Sequence, residues 1–414
     1  MTKFLIFLRT SILPIYLKFF SFAESLSESR FKFIITHLKF SLLTSPIPVL
    51  LDTEGEIPKF VGRTANWKYL LKWYFDLANL LFQVAICIKW LWSEICLFSV
   101  TSLGCQDAVE TWQVVLVVFF ALLYTILWLW LVHSVRSFNE MLALQNFWMV
   151  VDYCENERYR DRVTLKDVCL ITFSSAVQFT VILPLAMVAL SIFQPFLPPL
   201  ITGMVGSVNC KSWDDDGIQL GLLPRVGLGL LAAYTWHFVP LFGGPGIIML
   251  MVHPTLVQGI LLKDVERLIN TGHTHKVRKY RIAQIHGRLH NETWRHPSMA
   301  LLVCGIILAE VTCLYMTLTS RDVLSPPGFF MFALIGNNMV FVIHYYFKLV
   351  SYPDIKSDKL RNTWKQKKDK WVRAYLRSCH PIKLSLGDGT FFDKMTSLKI
   401  WQFCIETLVD ILLI

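Results

Sequence analysis

The sequence predicts an all-α membrane protein whose chain crosses the bilayer seven times. First, 54% of its 414 residues are hydrophobic and 17% charged, with a mean hydropathy of +0.48, far too apolar for a soluble globular chain. Second, the apolar residues are gathered into blocks of about 20, the length a helix needs to cross a hydrocarbon core roughly 30 Å thick. Third, the basic residues collect in alternate connections between those blocks. A closed β-barrel would show short alternating segments instead.

Residues 1–68 form the predicted cytoplasmic N-terminal segment. Phe4–Phe20 has the apolar character of a secretory leader, but Arg9 and Lys18 interrupt it and no small-residue cleavage site follows. It reads as a retained amphipathic helix on the inner membrane surface, continued by Phe31–Leu51 with a break at Pro46 and Pro48.

The first span is predicted at Tyr69–Trp90 and carries Lys72, Asp76 and Lys89. Each central charge costs roughly 2.5–3.5 kcal/mol on an insertion scale. Lys72 and Asp76 share one helical face and Lys89 sits near the outer end, so the span stands. The others are Trp112–Val132, Val168–Phe193, Val226–Val252, Met299–Thr319, Phe329–Val350 and Met395–Ile414, and tryptophans such as Trp67, Trp90, Trp92 and Trp112 mark several ends. Six spans and their loops thus occupy residues 69–352, a basic cytoplasmic segment 353–394, and the seventh span 395–414. In the fourth block, Pro240 and the run Gly243-Gly244-Pro245-Gly246 predict a break.

Orientation follows from Lys and Arg. Nine precede the first span, five lie between the second and third, eight between the fourth and fifth, and twelve run from Lys348 at the end of the sixth span to Lys394 before the seventh, against Lys211, Arg225 and Arg321 in the opposite connections. The N-terminus is therefore predicted cytoplasmic and the C-terminus extracellular, inverted relative to a G-protein-coupled receptor, whose Asp-Arg-Tyr and Asn-Pro-x-x-Tyr motifs are absent. The net charge of +10 sits beside apolar blocks, so anionic lipid headgroups and not nucleic acid are the predicted polyanionic partner.

Seven inverted spans, long basic loops before the fifth and seventh, and a chain that stops at the last span resemble the arthropod gustatory and odorant receptor superfamily. The motif similarity lies at Gly389-Thr390-Phe391-Phe392-Asp393, like the Gly-x-Phe and acidic residue that precede the last helix of gustatory receptors. Their last helix carries Thr-Tyr, five residues, and Gln-Phe. Here Thr407-Leu408 stands at the equivalent distance with Leu in place of Tyr, and Gln402-Phe403 falls in another register.

The resemblance implies a tetrameric ligand-gated cation channel for small tastants or odorants in the plasma membrane, with the last helix of each subunit lining the pore. It implies a ligand pocket in the outer half, among the second, third, fourth and sixth spans, where Phe119, Phe179, Thr180, Tyr234, Trp236, His237, Phe329 and Phe332 supply apolar walls and a few polar groups. The last block itself is poorly suited to lipid all round, because Lys399, Gln402, Glu406, Thr407 and Asp410 interrupt it. Gln402, Glu406, Thr407 and Asp410 share a stripe with Leu408 and Ile411 as apolar neighbours, so these six are the predicted pore residues. The stretch Lys356–Arg377 reads either as a long cytosolic helix that packs against copies of itself or as a solvated basic loop near anionic lipid.

An enzyme reading fails on its motifs. His286-Gly-Arg-Leu-His290, followed by His296, has the spacing of one box of a membrane di-iron desaturase, but no His-x-x-His-His box accompanies it. His273, His275, His286 and His290 are read as solvated members of a basic loop, and neither a metal nor another cofactor is predicted. P-loop, Gly-x-Ser-x-Gly and metalloprotease motifs are absent. A secondary transporter is the alternative, although the halves show no internal repeat. Among ten cysteines, Cys105 and Cys210 fall in predicted outside loops and form a candidate disulfide. Glu310, Asn337 and Asn338 are read as hydrogen-bond glue between helices, and the Asn291-Glu292-Thr293 sequon as cytosolic and unmodified.

Overall fold

A computed structural model describes residues 49–52, 59–62, 67–100, 110–156, 183–193, 200, 221–247, 251, 253–270, 278–320, 324, 326–365, 370–387 and 389–413. They are mostly helical, with one antiparallel strand pair, β1 (Val49–Asp52) and β2 (Lys59–Gly62), in which Leu50 faces Val61. The predicted amphipathic helix therefore does not include Val49–Leu51. Pro48, Val49 and Leu50 favour extended backbone over helix.

The first span is helix α1 (Trp67–Val100), which runs ten residues past Trp90 at its C-terminal end. Helix α2 (Thr111–Arg136) opens on a reciprocal cap in which Glu110 N–H donates to Gln113 Oε1 at 3.1 Å. After a single turn at Ser137 the chain continues as α3 (Phe138–Asn156). Of the third block only α4 (Leu183–Phe193) is described.

The fourth is α5 (Leu222–Ile247), which packs along α4. Gly229 makes this close, since a Cβ there would meet Ser191 Cβ at 3.0 Å and the Val188 backbone at 3.2 Å. The predicted break at Pro240 is not found: α5 runs through it and through the Gly-Pro-Gly run, and ends at Ile247. Proline removes one backbone donor and inside a bundle its neighbours compensate, so the helix need not stop there.

Next come α6 (His253–Asn270) and α7 (Arg278–Trp294). A wide π-turn at Arg295–Met299, which contains Pro297, leads to α8 (Ala300–Thr319), the fifth span. The sixth span is α9 (Pro326–Phe341), a second π-turn at Val342–Tyr346, and α10 (Phe347–Val350). Beyond it lie α11 (Tyr352–Lys365) and α12 (Lys370–Ser378), so the described part of the stretch read either as a long helix or as a solvated loop is helical, and residues 366–369 lie outside the described residues. The last helix is α13 (Thr396–Leu413), whose 18 residues span about 27 Å.

Four helices among the described residues are long and apolar enough to cross a membrane: Trp67–Trp92, Thr111–Arg136, Pro297–Thr319 and Gly328–Trp364. Their interior is aromatic and aliphatic, with Phe120, Tyr124, Trp236 and Phe332 almost wholly buried. The basic connections meet at one end of this bundle. Gly62 of β2 abuts Phe138 of α3, Lys279 of α7 pairs with Asp264 of α6 at 2.5 Å, and Lys356 of α11 pairs with Glu266 of α6.

Candidate functional site

The expected pocket residues divide into two groups. Phe119 and Phe120 of α2 face the bundle interior, where Phe120 meets Trp236 of α5 edge-on with ring centroids 5.6 Å apart and lies 6.2 Å from Tyr124. Phe332 of α9 is wholly buried and Phe329 partly buried against the same continuous core. Tyr234 points elsewhere: its hydroxyl donates to Asp76 Oδ1 of α1 at 2.7 Å, and Phe75 lies 5.9 Å from its ring. Phe179 and Thr180 lie outside the described residues; His237 lies on α5, with only its backbone described.

That contact between α1 and α5 is the polar feature the sequence left without a partner. Asn79 Nδ2 donates to Thr235 Oγ1 at 3.0 Å, one turn from the Asp76–Tyr234 bond. The carboxylate seen as the weak point of the first span is thus matched by a phenol 158 residues away in sequence. Burying a carboxylate in an apolar medium is tolerable only with such hydrogen bonds.

Glu310 behaves differently. It is fully buried on α8, and neither carboxylate oxygen has a hydrogen-bond partner among the described residues. Asn338 donates to the Leu334 carbonyl of its own helix at 2.8 Å, and Asn337 is exposed. The expected hydrogen bonds between helices are therefore not found at Glu310 or Asn338. A side-chain amide can share the carbonyl one turn back, which has a second lone pair, and Asn338 satisfies itself locally in this way.

Helix α13 has two faces. Thr396, Ile400, Cys404 and Leu408, at spacings of four, pack onto the subunit's own bundle, and Ile411 is partly buried beside them. Thr407 donates to the Phe403 carbonyl at 2.8 Å. Opposite, Gln402, Glu406 and Asp410 are exposed, and Gln402 Nε2 donates to Glu406 Oε1 at 2.8 Å. Helical geometry sets Gln402, Glu406, Val409 and Leu413 down the middle of this open face. Val409 and Leu413, 48% and 80% exposed, were not singled out in the sequence, although their spacing from Gln402 and Glu406 carried the signal.

The start of α13 is fixed by Asp393, whose Oδ1 accepts from Met395 N–H at 2.9 Å and Thr396 Oγ1 at 2.8 Å, while its own N–H donates to Thr396 Oγ1 at 2.8 Å. Partial burial pushes this carboxyl up, but the Thr396 hydroxyl, the Lys399 ammonium and the Met395 N–H outweigh it and hold it below its ordinary value. The motif residue before the last helix is therefore a reciprocal N-cap.

Two of the histidines read as solvated, His286 and His290, are not. His286 is buried and stacks on Phe147 of α3, centroids 3.6 Å apart and planes 15° from parallel, and His290 is buried beside Trp148 at 5.5 Å. They share the inner face of α7 because residues four apart do. Burial lowers His286 to about 4 and His290 to about 3, so both are neutral at physiological pH. His273 and His275 lie outside the described residues, as do Cys105 and Cys210; Cys304, Cys313, Cys379 and Cys404 are free cysteines among the described residues.

No family model and no curated protein matches the sequence. In structure the chain is similar to the insect olfactory receptor OR5 of Machilis hrabei, solved in complex with eugenol, with a TM-score of 0.53, 11% identity, and 93% of this chain and 99% of that chain covered. The chain has the fold of that insect olfactory receptor.

Proposed function

We propose that this chain is a chemosensory receptor: a ligand-gated, non-selective cation channel of the plasma membrane, with a cytoplasmic N-terminus, opened by a small tastant or odorant. The observation that carries this reading is the open face of α13. A helix that buries Thr396, Ile400, Cys404 and Leu408 inwards and leaves Gln402, Glu406 and Asp410 exposed is costly in lipid. Four copies around an axis would turn that face into a water-filled lining. Gln402, Glu406, Thr407 and Asp410 would line or border it, and Val409 and Leu413 would form apolar rings able to gate by dewetting. Leu408 and Ile411, packed on the bundle, would set the helix position instead.

The ligand site of this reading is the aromatic interior around Phe119, Phe120, Trp236 and Phe332, with Phe329, Phe179, Thr180 and His237 as further walls. Such a lining suits a small apolar molecule with one or two polar groups. The basic end of the bundle would rest against anionic lipid.

Carboxylates in the lining give the test. Two unit charges 4 Å apart at an effective dielectric of 20 interact by about 4 kcal/mol, so even a screened ring favours cations measurably. Asp410→Asn and Glu406→Gln should each weaken cation preference, read as a shift in reversal potential, with surface expression retained. Reversal potentials unchanged in both would place these side chains against protein or headgroups.

A further inference from the structure

The described residues between α12 and α13 form no helix and pair only through an isolated bridge, Ser385 with Phe391, yet hydrogen bonds from two helices hold them. One face of α7 holds it. Tyr280 Oη and Gln284 Nε2 both donate to the His380 carbonyl, at 3.0 and 2.6 Å. Seven residues further along α7, Asn291 Nδ2 donates to the Lys383 carbonyl at 2.8 Å while its Oδ1 accepts from Ser385 N–H at 2.9 Å. The Asn291 amide thus does what a neighbouring β-strand would do, accepting and donating along one edge of an extended chain. From the other side, Ser357 of α11 accepts from Ile382 N–H at 3.0 Å, and Ile382 and Leu384 are buried.

The chain then turns back in a tight hairpin. Phe392 N–H donates to the Leu384 carbonyl at 2.9 Å and Leu386 N–H to the Thr390 carbonyl at 3.0 Å. Gly387, at φ +107°, lies against Ala300, the first residue of α8, where an added Cβ would come within 2.8 Å of the Ala300 nitrogen and Cβ. Phe392 is fully buried with its ring 5.6 Å from Phe347, and Asp393 caps α13. Between the Asn291 contact and the first turn of α13 there is little slack.

We propose that Tyr280, Gln284 and above all Asn291 are positioning residues for α13: they clasp its lead-in hairpin to α7, so that displacement of α7 and α8 is delivered to the last helix. This rests on reading α13 as the pore helix. In the resting state the clasp holds α13 in register, and releasing it raises spontaneous opening while leaving the open pore unchanged. A hydrogen bond contributes about 1 kcal/mol net. Losing the two at Asn291 therefore shifts a local equilibrium by about ten-fold or more.

The test uses the full chain reconstituted in lipid without added ligand, comparing wild type, Asn291→Ala and the isosteric Asn291→Asp, which keeps the acceptor for Ser385 N–H and loses the donor to Lys383. Asn291→Ala should raise unliganded open probability about ten-fold, with Asn291→Asp between it and wild type and with single-channel conductance and reversal potential unaltered. In the same samples, amide exchange should quicken at Ser385 and also at the first turn of α13, Thr396–Lys399. Wild-type open probability in Asn291→Ala, or altered conductance, would overturn the proposal. So would faster exchange confined to Ser385, an arm that decides the point even if the wild-type chain never conducts, an outcome that would separately remove the channel reading.

Discussion

Replacing the two buried histidines of α7 by leucine should remove most of the acid sensitivity of the basic end of the bundle. His286 Nδ1 and both ring nitrogens of His290 lack hydrogen-bond partners among the described residues, and burial lowers the two groups to about 4 and about 3. An unfolded chain holds its histidines near 6.5. Below that value the unfolded state binds more protons, so the stability from keeping these rings neutral is complete above about pH 7.5 and is lost as pH falls towards the folded values. At pH 5.5 each ring, one unit below its unfolded value, accounts for about 1.4 kcal/mol, or about 3 kcal/mol for the pair. The assay is the thermal unfolding midpoint of purified protein at pH 7.5 and 5.5, for wild type and for His286→Leu/His290→Leu. Wild type should lose markedly more stability on acidification than the variant. Equal losses would refute the burial of these rings as the source of the effect.

Three other outcomes follow from the same geometry. Asp393→Ala removes the acceptor for Met395 N–H and Thr396 Oγ1, so it should cost about 1 kcal/mol and speed exchange in the first turn of α13; unchanged exchange would show that the cap is idle. Cys105 and Cys210, if both lie outside, should form a disulfide, and peptide mapping under non-reducing conditions that finds both thiols free would exclude it. An antibody tag at the N-terminus should be reached only after permeabilisation and one after Ile414 on intact cells; the reverse pattern would invert the proposed topology.

The parts of this fold that were legible in the sequence are those set by bulk properties of the chain. Apolar length gave the first, second, fifth and sixth spans, which the four long apolar helices of the described residues match, and the Lys and Arg bias anticipated that β2, α3, α6, α7 and α11 would gather at one end. What stayed hidden depends on partners far apart in sequence. Asp76 looked like a liability until Tyr234 and the Asn79–Thr235 bond supplied its surroundings. His286 and His290 were misread because the sequence of α7 is rich in charge, with Arg278, Lys279, Arg281 and Arg288, of which Arg281 and Arg288 are exposed. Its buried stripe of Tyr280, Ala283, His286 and His290 nevertheless has helical spacing, and counting that period would have predicted it. Leu408 was grouped with the exposed stripe of α13 because one helix alone does not say which of its faces meets the bundle.

The central claim is that this chain conducts cations under ligand control, and single-channel recording tests it most directly. Purified chain reconstituted in a planar bilayer is exposed to a panel of small aromatic odorants and tastants. The expected result is unitary current steps carried by Na⁺ and K⁺ with little discrimination between them, appearing on addition of at least one compound and losing cation preference in Glu406→Gln/Asp410→Asn. Protein that is folded and inserted, stays silent to the whole panel with and without candidate partner subunits, and instead carries a solute at a saturable rate would contradict the claim and assign the chain to transport.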